Sequence, residues 1–251
     1  MPEGPLPLTV VIPTLNEAHN IADCVASAAS ADEVIVADAG STDGTVAAAR
    51  AAGATVLEES GPTIAAQRNA AIAVARNRWV LALDADERIS PELAAELVSV
   101  LAAPAHEAYR VRCRNFYLGV EHARGGWSRD WHTRLFQRER RFVERRLHEG
   151  IEPIEDVGEL SGTLIHHPYR SLGHHIEKIH RYAQWGADDL WERGRRASWS
   201  DLAFRPAWRF VQAYFVEGAF RDGRRGLVQA TLGSYSGFLK YALLWAKELK
   251  R

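Results

Sequence analysis

The chain has 251 residues, of which 47% are hydrophobic and 25% charged, with a formal net charge of −1. That length can bury a sizeable core as one large domain or as a domain with an appendage, and the near-neutral balance excludes the global positive field of a nucleic-acid binder. Cys24 and Cys113 supply neither a disulfide framework nor a metal-ligand cluster, so a reducing compartment is the simpler expectation.

The first segment, MPEGPLPL, has no basic region ahead of an apolar one and does not read as a secretory signal. No uninterrupted apolar stretch approaches the roughly 18 residues that span a bilayer. The expected location is therefore the cytoplasm, with peripheral contact to the inner face of the membrane left open. Leu8 to Pro13 and Glu33 to Asp38 read as strands, with an Ala-rich helix from Ala18 to Ala29 between them. Thr45 to Ala52 predicts a second helix closed by Gly53, followed by a short strand at Ala54 to Leu57, a helix from Ile64 to Arg76 and a strand at Trp79 to Leu83. Strand and helix alternate in the manner of a parallel sheet with right-handed crossovers.

After Pro104 the texture changes. Tyr109 to Asn115 alternates apolar and basic residues, and Arg134 to Phe136 and Thr163 to Ile165 suggest further short strands. From Leu172 the pattern is helical to the end, with Tyr235, Phe238, Leu239, Ala242, Ala246 and Leu249 at helical spacing. From Arg221 to Arg251 seven basic residues face two acids. Between Ala207 and Lys250, Trp208, Phe210, Tyr214, Phe215, Phe220 and Trp245 lie amid basic residues, so a core stripe and an interfacial membrane patch are both consistent with the helices. The expected divisions are a first half at 1–104, a second half of the same domain at 105–170, and a helical region at 171–251.

The stretch Trp79 to Asp86, WVLALDAD, concentrates the chemistry. A strand buried on both faces ends in two carboxylates, and side chains two apart point the same way. The C-terminal ends of strands are where open α/β sheets bind ligands. Asp84 and Asp86 placed there can hold Mg²⁺ or Mn²⁺ with coordination sites left for a diphosphate. The bland alternative is a solvated acidic turn, with Ser90 capping the next helix and Pro91 at its first position.

Two more segments follow strands at corresponding ends, Pro13-Thr14-Leu15-Asn16-Glu17 and Asp38-Ala39-Gly40-Ser41-Thr42-Asp43-Gly44, and Gln67-Arg68-Asn69 opens the helix before the Trp79 strand. Together with Asp84-Ala85-Asp86 they resemble the nucleotide-sugar half of family-2 glycosyltransferases, which have the GT-A fold, over residues 8–100. Asn115 to Gly119, Gly125-Gly126-Trp127, Arg134 to Phe136 and His148-Glu149 are similar to the branch that adds β-linked glucose to the lipopolysaccharide core. The resemblance implies an α/β GT-A fold, mainly a parallel sheet flanked by helices, and a UDP-hexose donor bound by Pro13, Thr14, Leu15, Glu17, Asp38, Gln67, Arg68, Asp84 and Arg134. It places Asp38 at the base, Glu17 at base or ribose, and Arg68 near base and diphosphate. Alone, Asp38 reads better as a turn closing on Gly40 and Ser41, and Asp43-Gly44 as a turn and helix start.

Glycosyl transfer needs the leaving diphosphate neutralised, which a divalent ion at Asp86, with Asp84 beside it, supplies together with a fixed charge from Arg134. An inverting enzyme also needs one carboxylate base. Glu149 is the first choice, because His148-Glu149 sits where the family places its acceptor-side acidic motif, and Asp130 is the second. His148 is taken as a further metal ligand, His166 being another histidine able to serve. The expected partners are the nucleotide sugar and a saccharide or glycolipid acceptor, and no nucleic acid. A nucleotidyltransferase would carry a Gly- and Lys-rich phosphate loop after the first strand, which is missing. A non-catalytic nucleotide-sugar-binding scaffold would keep the fold without turnover.

Overall fold

The structure, a computed structural model, describes residues 4–122, 130–143 and 150–249. The expected alternation is present as β1 (Leu6–Thr14), α1 (Ile21–Ser27), β2 (Ala31–Asp38), α2 (Thr45–Ala51), β3 (Thr55–Leu57), α3 (Ile64–Val74) and β4 (Trp79–Ala82). β1 pairs in parallel with β2 and β4, and β2 with β3. The run LTVVIP is apolar on both faces because both are covered. Val10 and Ile12 join a cluster with Ile21, Cys24, Val25, Leu93 and Leu97, while Val11 packs with Ala65, Ala71 and Ile72 of α3. Thr14 lies opposite Asp38, and Val11 opposite Ala82, so the loops after β1, β2 and β4 emerge at one edge.

The first helix is shorter than its Ala-rich sequence predicts. Residues ahead of Ile21 are held by the neighbouring loop instead: Asn16 takes a φ of 57°, and the Asn16 and Glu17 N–H groups donate to Ser41 Oγ and Thr45 Oγ1. Gly53 ends α2 with a φ of 95°, as a left-handed terminator should.

Beyond the parallel strands come β5 (Glu87–Ile89), α4 (Pro91–Ala102), β6 (Ala108–Tyr117), β7 (Val120–Glu121), β8 (Trp131–Gln137) and β11 (Val157–Tyr169), with β9 (Phe142–Val143) and β10 (Gly150–Ile151) forming a separate ribbon. The main sheet runs β3-β2-β1-β4-β8-β6-β11-β5, and β8 joins β4 antiparallel with Phe136 opposite Val80. Ser90 caps α4 by accepting from the Leu93 N–H, with Pro91 following, as the sequence predicts. Gly162 of β11 passes so close to this helix start that a Cβ there would lie 2.4 Å from Leu93 Cα. β5 then returns antiparallel to β11, setting Glu87 opposite His166.

The chain forms two compact units, residues 1–114 with 130–166 and residues 115–129 with 167–251, and β6 and β11 run through the division. The second unit contains α5 (Leu172–Glu192), α6 (Trp199–Val211), a π turn at Gln212–Val216, a 3₁₀ turn at Ala219–Asp222 and α7 (Gly223–Glu248). Ser198 and Asp201 cap α6 reciprocally. The inner line of α7 is Gly226, Ala230, Tyr241 and Leu244. This corrects the stripe read from sequence, since Tyr235, Phe238 and Leu249 are exposed while Leu239, Ala242 and Ala246 are half-buried. Small residues admit the neighbouring elements, and the larger side chains of that stripe turn outward. No helix among the described residues is long and apolar enough to cross a membrane.

Candidate active site

At the edge where β1, β2 and β4 end, two arginines converge on one carboxylate. Arg68 projects from α3 and is buried; its guanidinium bonds Asp84 Oδ1 and lies 4.6 Å from the ring centre of Phe142. Arg134 projects from β8 and is also buried; its Nη2 donates to Asp84 Oδ2 at 2.8 Å and to Glu87 Oε1 at 2.6 Å. Glu87 closes the ring by accepting the Asp84 N–H at 2.9 Å. Burial works to raise the Asp84 carboxyl, but Arg134 and Arg68 outweigh it and hold Asp84 far below the usual carboxylate range. Burial, helped by Asp84, pushes Glu87 up against the pull of Arg134. The Nε of Arg134 is buried without a hydrogen-bond partner among the described residues.

Asp86, two residues on, meets a different partner. His166 Nε2 lies 3.4 Å from its Oδ1, brought there by the β5–β11 register. Burial opposes a charged ring, yet Asp86 more than offsets this and raises His166 to about 9. Two adjacent ligands of one octahedral ion at about 2.1 Å stand about 3 Å apart. A carboxylate oxygen and an imidazole nitrogen at 3.4 Å thus fit neighbouring positions around a divalent ion, and the nitrogen suits a transition ion better than Mg²⁺. Asp84, with an arginine on each oxygen, is placed as an anchor for those arginines.

The two loops beside this edge are stitched together. Asp38 is buried, with Oδ2 accepting the Gly40 and Ser41 N–H groups and Oδ1 the Ser41 hydroxyl. Asp43 accepts from Thr45 and from the Ala18 N–H, which is the turn and helix start expected of it. Glu17 holds Asn20 through Oε2 at 2.8 Å. Thr14 Oγ1 is buried without a hydrogen-bond partner among the described residues, and Leu15 is exposed. Gln67 is buried next to Arg68 on α3. Asn69 grips Phe142 of β9 from both sides, donating to its carbonyl at 2.9 Å and accepting its N–H at 2.8 Å.

Asp130 takes part in a third cluster. It accepts from His132 Nε2 at 2.8 Å, and its side chain, His132 and Cys113 place their ligand atoms within 4.8 Å of one another. The Cys113 thiol lies 3.5 Å from Glu87 Oε1, and burial together with that carboxylate drives its ionisation well above the ordinary range. Asp130 thereby connects through Cys113 to the arginine cluster. Glu149 and His148 lie outside the described residues.

The model of the family described as Glycosyl transferase family 2 matches residues 9–152, which takes in every one of these clusters except His166. The chain belongs to glycosyl transferase family 2. Among curated relatives of this glycosyltransferase is the lipopolysaccharide core biosynthesis glycosyltransferase LpsC of Rhizobium meliloti (strain 1021), 31% identical over 96% of this chain and 93% of the relative. An uncharacterized glycosyltransferase of Rickettsia prowazekii (strain Madrid E) is 29% identical over 97% of this chain and 88% of its own length. Among solved structures, glucosyl-3-phosphoglycerate synthase from Mycobacterium tuberculosis, in complex with Mn²⁺, UDP and glucosyl-3-phosphoglycerate, aligns over 77% of this chain and 82% of that one, at 21% identity and a TM-score of 0.49.

In this glycosyltransferase, whose fold is the GT-A arrangement expected, the structure brings Arg68, Asp84 and Arg134 together and sets Asp86 beside His166. It leaves Asp38 and Glu17 in the adjoining loops and puts Asp130 with His132 and Cys113. Glu87 received no role from sequence, although it directly follows the Asp84-Ala85-Asp86 motif. The signal for it is position, the third acid of this run and the residue that opens β5.

Proposed function

We propose that the protein is an inverting, metal-dependent hexosyltransferase that moves glucose from UDP-glucose to a hydroxyl of a saccharide or glycolipid acceptor in cell-envelope glycan assembly, with lipopolysaccharide core as the acceptor class. The observation that carries the reading is the ring of Arg68, Asp84, Arg134 and Glu87 beside Asp86 and His166, at the sheet edge where nucleotides bind. The likeness to LpsC supports the acceptor class.

A sugar leaves a nucleoside diphosphate only as fast as the developing charge is neutralised. Arg134 and Arg68 hold two positive charges at that edge, kept in place by Asp84, so little reorganisation accompanies the reaction. Asp86 and His166 would hold Mn²⁺ or Mg²⁺, which when bound supplies Lewis-acid neutralisation of the diphosphate oxygens. Asp38 and Glu17, with the Thr14 hydroxyl and Gln67, would meet the uridine. Glu149 would take the proton from the acceptor hydroxyl, with Asp130 as the second candidate, and one displacement on an α-linked donor would give a β-linked product. An acceptor of this class is carried on a lipid, so the reading includes peripheral contact with a membrane.

Thermal stabilisation by a panel of nucleotides and nucleotide sugars, with and without Mn²⁺, tests the donor half, since a specific ligand raises apparent stability by mass action. UDP and UDP-glucose should stabilise the protein in the presence of Mn²⁺. Asp86→Ala should lose the metal-dependent part while keeping its own melting temperature. Glu149→Gln should retain donor stabilisation and lose transfer. A folded protein that responds to no member would favour a non-catalytic scaffold, and turnover undiminished in Asp86→Ala would remove that residue from the site.

A further inference from the structure

We infer that the corner between α6 and α7 is a docking surface for an anionic lipid bilayer, with Phe215, Val216 and Phe220 entering the headgroup boundary and Arg221, Arg224 and Arg225 pairing with lipid phosphates. Phe204, Trp208, Val211 and Phe215 recur at intervals of four, three and four, which is one face of a helix. Phe204 is 73% exposed, Trp208 63% and Phe215 58%, whereas Pro206, on the opposite side of α6, is buried. The π turn at Gln212–Val216 ends the helix with Val216 71% exposed, and such turns recur at functional sites.

The rings form one continuous cluster. Tyr214 is 5.4 Å from Phe210, 5.0 Å from Phe215 and 6.4 Å from Phe220, centre to centre. The Arg221 guanidinium lies 5.3 Å from the centre of Phe220. The 3₁₀ turn rests directly on the start of α7, where a Cβ at Gly226 would lie 1.8 Å from the Ala219 carbonyl oxygen. Apolar rings clustered and exposed at this density mark an interaction surface.

Charge selects the occupant. Of the acids of the corner, Glu217 pairs with Arg209 at 3.5 Å, and Asp222 is half-buried with His122, whose pKa burial lowers, 3.4 Å away. Arg221, Arg224 and Arg225 are exposed and form no ion pair among the described residues. A second copy of the chain would set these arginines against their own kind about a twofold axis, and an uncharged apolar partner would leave them unmatched. A bilayer with anionic headgroups offers an apolar layer beneath a negative one, in the same order as the patch presents its partners.

The inference deepens the proposal of a lipid-borne acceptor and rests on it only for the reason the surface exists. Binding is measured without donor or acceptor, so failure to transfer sugar and failure to bind lipid are separate results. The full chain is sedimented with vesicles of phosphatidylcholine alone or mixed with phosphatidylglycerol. Mixed vesicles should bind at least about tenfold more protein than neutral ones. The triple changes Phe215→Ser, Val216→Ser, Phe220→Ser and Arg221→Gln, Arg224→Gln, Arg225→Gln should each weaken that binding by about tenfold or more. Val74→Ser, at an exposed apolar residue of α3, should leave it unchanged. Melting curves establish folding, and if the aromatic variant does not fold, the arginine variant, altered only at exposed side chains, decides. Absence of binding to anionic vesicles by the folded wild type would overturn the inference, as would undiminished binding by the variants. So would a lipid-free dimer that either triple change dissolves, which would give the patch to a second copy.

Discussion

In the first unit Arg68, Glu87 and Arg134 are buried ionisable side chains bonded around Asp84, whereas in the second unit Trp199, Phe204, Trp208 and Phe215 are large apolar side chains left to solvent. Each arrangement runs against the ordinary sorting of residues. Taking charges out of water stabilises nothing unless their pairing is complete, and a ring at the surface forgoes its burial energy. The first unit can sustain its charge ring because two large clusters of buried apolar residues lie on the faces of its sheet. The second has a smaller cluster, whose buried members are Ala187, Tyr241 and Leu244, and it leaves Trp199, Phe204, Trp208 and Phe215 exposed. Neither departure is explained by folding, and each is where one of the two proposals puts a partner: a charged ligand at the sheet edge, and an apolar, anionic surface at the helical corner.

The largest expected effect comes from breaking the ring. Arg134→Met leaves Asp84 and Glu87 without their shared donor and should cost about 3–5 kcal/mol of stability, read as a shift in denaturant midpoint, and abolish measurable transfer. Arg134→Lys keeps the charge but presents a single point donor in place of the fork and should recover only part of either loss. Trp208→Ser, by contrast, should move stability by no more than about 0.5 kcal/mol. A change at Trp208 as large as that at Arg134 would mean that the outward face of α6 is core after all, and the contrast between the units would collapse.

Glycines sharpen the same contrast at a smaller scale. Gly162 sits against the Leu93 backbone, so Gly162→Val must displace β11 or the start of α4 and should cost about 1–3 kcal/mol. Gly233 of α7 has no atom within 4 Å of the place a Cβ would take, and Gly233→Ala should stabilise by up to about 1 kcal/mol through helix propensity. Thermal melts of the two variants should therefore move in opposite directions. Equal destabilisation would show that α7 is closely packed at Gly233.

Much of the first unit was legible in sequence because its signals are local. Each strand is a short apolar run, each following loop carries its own turn chemistry, and Ser90 and Pro91 announce α4 without any distant contact. The shared edge formed by the ends of β1, β2 and β4 follows once those strands pair in parallel. Glu87 and His166 were harder to assign, because their placement depends on the pairing of β5 with β11, whose partners are far apart in the chain. Arg134 could be given a charge role from its strand, but its two carboxylate partners belong to the β4–β5 turn and are reached only through the antiparallel addition of β8 to β4. In α7 apolar residues occur on more than one side, so periodicity could not choose the inner line. Gly226 and Ala230 choose it by being small enough to approach.

A pH-dependent effect concerns the one buried histidine of α5. His175 stacks on Tyr169 at 3.8 Å, and the Tyr117 hydroxyl lies 3.0 Å from its Nδ1, an arrangement that suits a neutral ring accepting that hydrogen. Burial, with Lys178 and His174 nearby, lowers its pKa to about 4. In the unfolded chain a histidine titrates near 6.5, so as pH falls the unfolded state takes up the proton first. The stability due to the neutral ring is then complete above about 6.5 and is lost progressively as pH falls towards 4, by an amount on the order of 1–2 kcal/mol. His175→Phe keeps the stacking and removes the proton site, so its denaturant midpoint should decline less steeply than that of wild type over this window. Parallel declines would mean that the second unit admits a charged imidazole as readily as water does. Its interior would then be as open as its surface is apolar, and the contrast with the closed charge ring of the first unit would be greater still.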